Sequence, residues 1–168
     1  VVNITHPQSD AEKVRQFTEE ASQTICPTTP QPMSRSEVDF VIRMALSELL
    51  ELAQTVCATD EEAIQFLKDR VLTDLSHYDR TDQPLQLAAD QADAAVDTMY
   101  YLYNCFAKKG INLSRIFDVV HQANMAKRDP ATGKFIRRES DGKILKPAGW
   151  TPPDILAEIQ RQHTEGSW

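Results

Sequence analysis

The sequence has none of the glycine-rich or cysteine-rich motifs that mark several large functional classes. It contains no P-loop, no dinucleotide-binding glycine motif and no cysteine pair at zinc-ligand spacing. These absences argue against P-loop hydrolases, Rossmann dehydrogenases and structural zinc proteins. Cysteine is also rare: Cys26, Cys57 and Cys105 are widely separated and odd in number. This usage favours a reducing, intracellular compartment over a disulfide framework.

Long hydrophobic runs are missing as well. No apolar stretch approaches 18 residues without a charge, so no membrane span is expected. The residues from Val1 to Pro7 lack a basic stretch followed by an apolar one, so we expect no secretory signal and a cytoplasmic protein. With 168 residues, 41% of them apolar and 26% charged, the chain predicts one soluble globular domain.

Positive charge is scarce overall but concentrated in one segment. The chain carries a net charge of −7, whereas residues 127–146 contain seven bases and three acids, a net +4, so the remainder carries −11. The bases are Lys127, Arg128, Lys134, Arg137, Arg138, Lys143 and Lys146. An acidic body with a basic flap suits a small polyphosphate bridged by metal ions better than a nucleic acid duplex, which the body would repel.

Helical periodicity dominates the chain and predicts an all-α helical bundle. The predicted helices span about 9–24, 36–58, 59–75, 85–108, 113–126 and 154–163, with Ser34 or Ser36 as the cap of the second. Only one segment departs from this pattern. Residues 135–138 and 143–146 flank Glu139-Ser140-Asp141-Gly142, which predicts a short β-hairpin near the C-terminus.

The second predicted helix carries a pair of acids beside an apolar face. At about 100° per residue, six apolar side chains form a stripe that is expected to face a core. They are Val38, Ile42, Ala45, Leu49, Leu52 and Val56. Glu48 and Glu51 fall beside this stripe, as do Phe40 and Met44. The two glutamates therefore lie on a helix with little surface left to face water.

The fourth predicted helix carries a row of three acids. Asp90, Asp93 and Asp97 are spaced i, i+3, i+7 and so share one face. Carboxylates at this spacing repel one another, and burying them ionised is costly unless they meet cations. A hard divalent ion such as Mg²⁺, with Mn²⁺ as a substitute, would meet that need. The alternative is that each set faces solvent or pairs with lysine and arginine.

These motifs resemble those of a known superfamily. Glu48-x-x-Glu51, followed by an acidic cluster ending in Asp97-Thr98-Met99-Tyr100-Tyr101, is similar to the paired motifs of the MazG-like all-α NTP pyrophosphohydrolases. The runs 121–127 and 141–147, with Trp150-x-Pro152-Pro153, resemble the phosphoribosyl-ATP pyrophosphohydrolase-like branch. The resemblance covers about residues 36 to 156.

One departure concerns the second motif, which usually reads Glu-x-x-Asp in the superfamily. Counting back three residues from Asp97 gives Ala94, and the acid stands at Asp93 instead. Alternatively, Asp90-x-x-Asp93 is the motif and Asp97 is an additional ligand. The choice among the three aspartates as direct ligands stays open.

The resemblance implies a reaction and a set of roles. Water would attack the α-phosphorus of a nucleotide polyphosphate and release a nucleoside monophosphate and pyrophosphate. Glu51, or less favourably Glu48, would be the catalytic base, and both would bind metal with Asp90, Asp93 and Asp97. The expected phosphate-binding residues are Asn124, Lys127, Arg128, Lys143 and Lys146, although the last three could simply be solvated charges. Phe40 and Met44 are weak candidates to stack on the base, and Trp150 is expected to be a packing anchor rather than a lid.

The leading functional prediction is a Mg²⁺-dependent (deoxy)nucleoside triphosphate pyrophosphohydrolase. The alternatives are the phosphoribosyl-ATP pyrophosphohydrolase of histidine biosynthesis and a non-catalytic helical binding or scaffold protein. A scaffold would expose Glu48 and Asp93 and would not respond to metal. Because two helices are apolar nearly all round, we expect a homodimer or homotetramer, with a small nucleotide as ligand and no stable nucleic acid or membrane partner. The single domain would comprise an N-terminal helix and proline-rich arm (1–35), a metal-binding helical core (36–126), and a basic flap with a C-terminal helix (127–168).

Overall fold

The computed structural model describes residues 7–70 and 81–168. Over these ranges the chain forms six α-helices and no β-strand of more than one bridge, which confirms the predicted all-α class. The helices are α1 (Asp10–Ser22), α2 (Arg35–Gln54), α3 (Asp60–Lys68), α4 (Pro84–Ala107), α5 (Leu113–Met125) and α6 (Ile155–Glu165). None of these helices combines the length and hydropathy that a membrane span requires. Val71, Leu72 and Leu75, predicted to continue the third helix, lie outside the described residues.

The helix starts follow from short polar side chains that satisfy the free N–H groups of the first turn. Ser9 begins α1 in a capping box, in which its hydroxyl accepts from the backbone N–H of Glu12 and Glu12 accepts from the backbone N–H of Ser9 at 2.7 Å. Ser34 and Glu37 repeat this arrangement at α2, so Ser34 is the cap and Ser36 is not. The serine hydrogen bonds hold the pKa of both glutamates below the ordinary value. Thr59 caps α3.

The described residues fall into two compact units, one within 29–95 and one within 1–28 and 96–168. In the first unit α2 packs against α3. The small side chains Ala53 and Ala63 are buried there, which allows the two helices to approach closely. Gln91 of α4 binds the segment before α2 through both of its amide groups: it accepts from Met33 N at 2.6 Å and donates to Met33 O at 3.0 Å.

In the second unit α5 packs against both α1 and α6. Lys13 of α1 forms an ion pair with Asp118 of α5, which raises the lysine's pKa above its usual value. Phe17 of α1 meets the buried Phe135 edge to face, with ring centroids 5.2 Å apart. The segment after α5 is therefore held against α1 by an aromatic contact.

A buried acid fastens α6 to α5. Glu158 is only 3% exposed and accepts from Arg115 Nε and Arg161 Nη2, each at 2.7 Å. Gln162, also buried, donates to Glu158 at 3.2 Å and accepts from the backbone N–H of Asn112 at 2.8 Å. The carboxylate is thus compensated by two guanidinium groups, the condition under which a buried charge is tolerated.

The predicted β-hairpin is not shown as a pair of full strands, although its arms pair through Arg138 N to Lys143 O at 2.9 Å and Leu145 N to Ile136 O at 2.8 Å. The segment contains only the isolated antiparallel bridges Arg128–Phe135 and Arg137–Ile144. The predicted turn is present, with Gly142 at φ +70°, where a side chain would be strained. Pairing does not extend beyond the second bridge because Pro147, which has no N–H group to donate, follows soon after it.

Much of the apolar stripe of α2 is exposed in the described structure, although Val38 and Leu49 are half-buried. Ile42, Leu52 and Val56, which were expected to face a core, are exposed, and so are Phe40 and Met44. Helix α4 likewise exposes Leu85, Val96, Met99, Tyr100 and Tyr101. Exposed apolar surface of this extent is unusual on a monomer.

We expect Glu158→Gln to destabilise the protein, because it removes the charge that Arg115 and Arg161 share. The loss should be about 1–3 kcal/mol, as for charge-assisted hydrogen bonds. The melting temperature measured by circular dichroism should fall accordingly. Glu165→Gln, at the exposed end of the same helix, is the matched control and should leave it unchanged. Equal melting temperatures for both variants would contradict the role given to Glu158.

Candidate functional site

The carboxylates of α2 are free to bind a ligand. Glu48 and Glu51 are exposed, and neither makes a hydrogen bond or ion pair with any residue in the described ranges. The charged side chains nearest in sequence are already committed, since Arg43 binds Asp39 at 3.1 Å. One helical turn separates the two glutamates, so their side chains can approach a common cation.

Helix α4 presents a similar set. Asp93 and Asp97 are exposed and have no hydrogen-bond or ion-pair partner among the residues that the structure describes. Asp90 is half-buried and accepts from Gln86 Nε2 at 2.8 Å. Asp93 stands one turn from each of the other two aspartates, whereas Asp90 and Asp97 are two turns apart. Any adjacent pair that shares one cation therefore includes Asp93.

Within residues 29–95, the described part of the chain does not bring Glu48 and Glu51 together with Asp90 and Asp93. In the described ranges no three acidic, histidine or cysteine side chains are placed to hold a metal ion, and α2 does not pack against the part of α4 in its own unit. The geometry of the first unit explains this separation. Gln91 is bonded to Met33, so Asp90 and Asp93 flank the beginning of α2. Glu48 lies 15 residues beyond Met33, about 20 Å along the helix.

The structure does bring the predicted basic residues together at the end of α5. Lys127 donates to the side-chain oxygen of Asn124 at 2.7 Å. Its pKa is lowered, first by burial and then by repulsion from Lys146 and Lys143, so the three ammonium groups are close enough to interact. No carboxylate in the described ranges pairs with any of the three. We call Lys127, Lys143 and Lys146 the lysine cluster.

An aromatic ring lies within the lysine cluster. The ammonium nitrogen of Lys146 is 4.3 Å from the centroid of Trp150, and that of Lys127 is 5.6 Å away. The indole N–H donates to the backbone oxygen of Ala123 at 2.8 Å. Sequence reasoning gave Trp150 only a packing role. The one signal that could have suggested more is that Trp150 follows Lys146 by four residues in a proline-rich turn.

Arg128 differs from the lysines because it has a counter-ion. Its guanidinium binds Glu20 of α1 through Nε at 2.8 Å and also through Nη2, and this pairing lowers the pKa of Glu20. Its predicted contact with phosphate stays a prediction, but the structure engages it with α1. Phe40 and Met44, predicted to stack on a base, are exposed on α2, and neither has an aromatic partner in the described ranges.

Comparison with known proteins places the chain in a family. The sequence profile of the family described as phosphoribosyl-ATP pyrophosphohydrolase matches residues 14–124. A crystal structure of a candidate NTP pyrophosphohydrolase from Exiguobacterium sp. 255-15 is 27% identical and superposes with a TM-score of 0.80, over 95% of this chain and 99% of that one. No curated protein matches the chain. The profile spans more than half of the chain and includes both acidic motifs, and we conclude that this protein belongs to the phosphoribosyl-ATP pyrophosphohydrolase family, within the MazG-like all-α superfamily.

Proposed function

We propose that this protein hydrolyses (deoxy)nucleoside triphosphates to nucleoside monophosphates and pyrophosphate with the help of Mg²⁺. Because the chain belongs to a pyrophosphohydrolase family, the bond that it hydrolyses is a phosphoanhydride. The observation that carries the finer proposal is the set of unpaired carboxylates at Glu48, Glu51, Asp93 and Asp97. Each helix places two of these carboxylates one turn apart, so that adjacent members can approach the same cation.

The donor set fits a hard divalent cation. Carboxylate oxygens are the ligands that Mg²⁺ and Mn²⁺ prefer, and these ions are typically held by a few carboxylates together with substrate phosphates. Glu48, Glu51 and Asp93 would bind the ion, with Asp90 or Asp97 completing the aspartate pair. When bound, the cation would neutralise phosphate charge and acidify a coordinated water.

The residues divide the remaining chemistry between them. Glu51 would accept the proton of the attacking water, whose oxygen bonds to the α-phosphorus. The bond from that phosphorus to the oxygen bridging to the β-phosphate breaks, and the electron pair leaves with pyrophosphate. Asn124 and Lys127 would bind the outer phosphates, with Lys143 and Lys146 adding positive charge as the leaving group becomes more negative.

The proposal includes self-assembly into a homodimer or homotetramer. Helices α2 and α4 expose apolar side chains that cost free energy in water, and a second copy would cover them. Within residues 29–95, Glu48 and Glu51 are not beside Asp90 and Asp93, and a second copy could supply the missing aspartates. Glu48 and Asp93 are exposed in the single chain, as the scaffold alternative expects, but covering α2 and α4 would occlude them.

A second substrate is favoured by one observation, the description of the matching family as phosphoribosyl-ATP pyrophosphohydrolase. That reaction breaks the same bond between the α- and β-phosphates and also releases pyrophosphate. The two proposals therefore share the site and differ only in the group attached to the α-phosphate.

The products distinguish these alternatives. We expect Mg²⁺-dependent release of pyrophosphate from at least one member of a panel of (d)NTPs, because attack at the α-phosphorus leaves the β–γ bond intact. Ion chromatography separates pyrophosphate from orthophosphate. Turnover of phosphoribosyl-ATP alone would select the second substrate, and orthophosphate as the sole product would reject attack at the α-phosphorus. A scaffold would show no turnover and no change in melting temperature with Mg²⁺.

Glu51→Gln should lower kcat by roughly 100-fold or more, the usual contribution of a general base. The fold should be retained, since Glu51 makes no contact that the substitution would break. The matched control is Glu61→Gln, which removes the same charge from the exposed first turn of α3. Circular dichroism and kcat should be measured for both. A Glu51→Gln enzyme as active as the control would remove the base assignment.

Ile42→Lys should dissociate the assembly and reduce activity, because it places a charge in the exposed stripe of α2. Ile42 is 52% exposed in the single chain, so the isolated chain tolerates the lysine. Ile25→Lys is the matched control, since Ile25 is 87% exposed and lies outside α2 and α4. Sedimentation velocity gives the oligomeric state of each. A wild-type protein that is monomeric and fully active would exclude the shared site.

A further inference from the structure

We propose that Trp150 is a positioning residue: its indole ring holds the ammonium groups of Lys127 and Lys146 where they bind the outer phosphates of the substrate. The inference rests on the proposed function, because it assigns a role to a residue beside the proposed phosphate site. Trp150, Lys127 and Lys146 all belong to the same unit, within residues 96–168.

The indole ring of Trp150 is fixed to the end of α5 by a hydrogen bond to a helix carbonyl that has no partner inside the helix. The last carbonyls of a helix have no partner inside the helix. At the end of α5 the backbone N–H of Lys127 turns to Asn124 O instead of Ala123 O, and the carbonyl of Gln122 is taken by Ala126. The Ala123 carbonyl is left for the indole N–H, which reaches it at 2.8 Å. Trp150 therefore closes the helix at the point where Lys127 leaves it.

The backbone of Trp150 is held by a tight turn directly after Lys146. The backbone N–H of Trp150 donates to Pro147 O at 3.1 Å, and Gly149 has φ +81°, which favours glycine. Pro147 restricts its own backbone, so the turn is short and stiff. This turn brings Lys146 and Trp150 together, and the indole hydrogen bond then places both beside Lys127.

The ring also offsets part of the electrostatic cost of the cluster. Two ammonium groups lie within the 6 Å over which an aromatic ring attracts a cation, at 4.3 Å for Lys146 and 5.6 Å for Lys127. Repulsion among the lysines and partial burial lower the pKa of Lys127. Asp141 is close enough to interact with Lys143, but neither Lys127 nor Lys146 forms an ion pair with a carboxylate in the described ranges. A polyphosphate would relieve the repulsion among the lysines. The ring keeps the lysines close together until the polyphosphate binds.

A purely structural anchor would act through the indole N–H alone, so substitutions can separate the two roles. Trp150→Phe keeps an aromatic face and loses the N–H group. Trp150→Leu loses both. If the ring positions the lysines, phenylalanine should preserve phosphate binding largely and leucine should not. If Trp150 only anchors the turn, the two variants should be equally impaired.

The first measurement uses native Trp150 and needs no variant at that position. The chain has two tryptophans, so Trp168→Phe leaves Trp150 as the single indole emitter. Inorganic pyrophosphate is titrated into this protein in EDTA, so that binding does not depend on metal or turnover. We expect a saturable change in Trp150 emission as the ammonium groups shift toward the anion. An emission unchanged while calorimetry reports binding would overturn the inference.

The second measurement compares pyrophosphate affinity by calorimetry in the wild type and the Trp150 variants. Trp150→Leu should weaken binding roughly tenfold, about 1.4 kcal/mol, and Trp150→Phe by less than about threefold. In turnover assays the leucine variant should lower kcat/KM and the phenylalanine variant should retain most of it, because the lysines bind the outer phosphates both in the substrate and in the leaving pyrophosphate. Trp168→Leu is the control, because Trp168 lines a cavity with Tyr100, Tyr103 and Ile111 and, in the described ranges, no lysine lies over its ring.

The outcomes separate this inference from the proposed function. If the wild type binds no pyrophosphate in EDTA, the lysine cluster is not a phosphate site by itself and the inference fails, whereas Mg²⁺-dependent turnover of (d)NTPs still tests the proposed function. If the wild type binds pyrophosphate and the leucine variant binds it equally well, only the role of Trp150 is overturned. Equal losses for phenylalanine and leucine would reduce Trp150 to a structural anchor.

Discussion

The structure depends on where its charges are left without counter-ions. Several ion pairs hold the fold together: Glu158 binds two arginines, Lys13 binds Asp118, and Glu20 binds Arg128. By contrast, Glu48, Glu51, Asp93 and Asp97 form no ion pair or hydrogen bond through their carboxylates in the described ranges, and Lys127 and Lys146 have no carboxylate partner there. The ligand that we propose, a polyphosphate with a divalent cation, would supply counter-charges to both sets.

The two compact units also differ in how fully their helices are packed. Within residues 96–168 and the N-terminal helix, aromatic contacts and buried ion pairs join α1, α5, α6 and the basic segment. Helices α2 and α4 instead expose large apolar side chains and unpaired acids on the same elements. Apolar surface and acid motifs together point to assembly, because covering the first would also remove water from the second.

The family and most of the fold could be predicted from local sequence signals. Ser9 and Ser34 mark helix starts because each is followed three residues later by a glutamate that completes a capping box. The Asp-Gly turn was also predicted, but not the loss of its strands, since a sheet needs pairing partners that four-residue arms cannot provide alone. The stripe of α2 was predicted to face a core, and periodicity cannot tell a core from an interface.

What the sequence determined by itself is the identity and spacing of the acids on α2 and α4, because helical periodicity converts sequence separation directly into a shared face. It also determined that Asn124 and Lys127 lie together, three residues apart at a helix end. Only the tertiary structure decided that Arg128 is bound to Glu20 whereas Lys127 and Lys146 meet at Trp150. Those partners lie far apart in the chain or across a turn, and their distances depend on how the backbone packs, which no local pattern records.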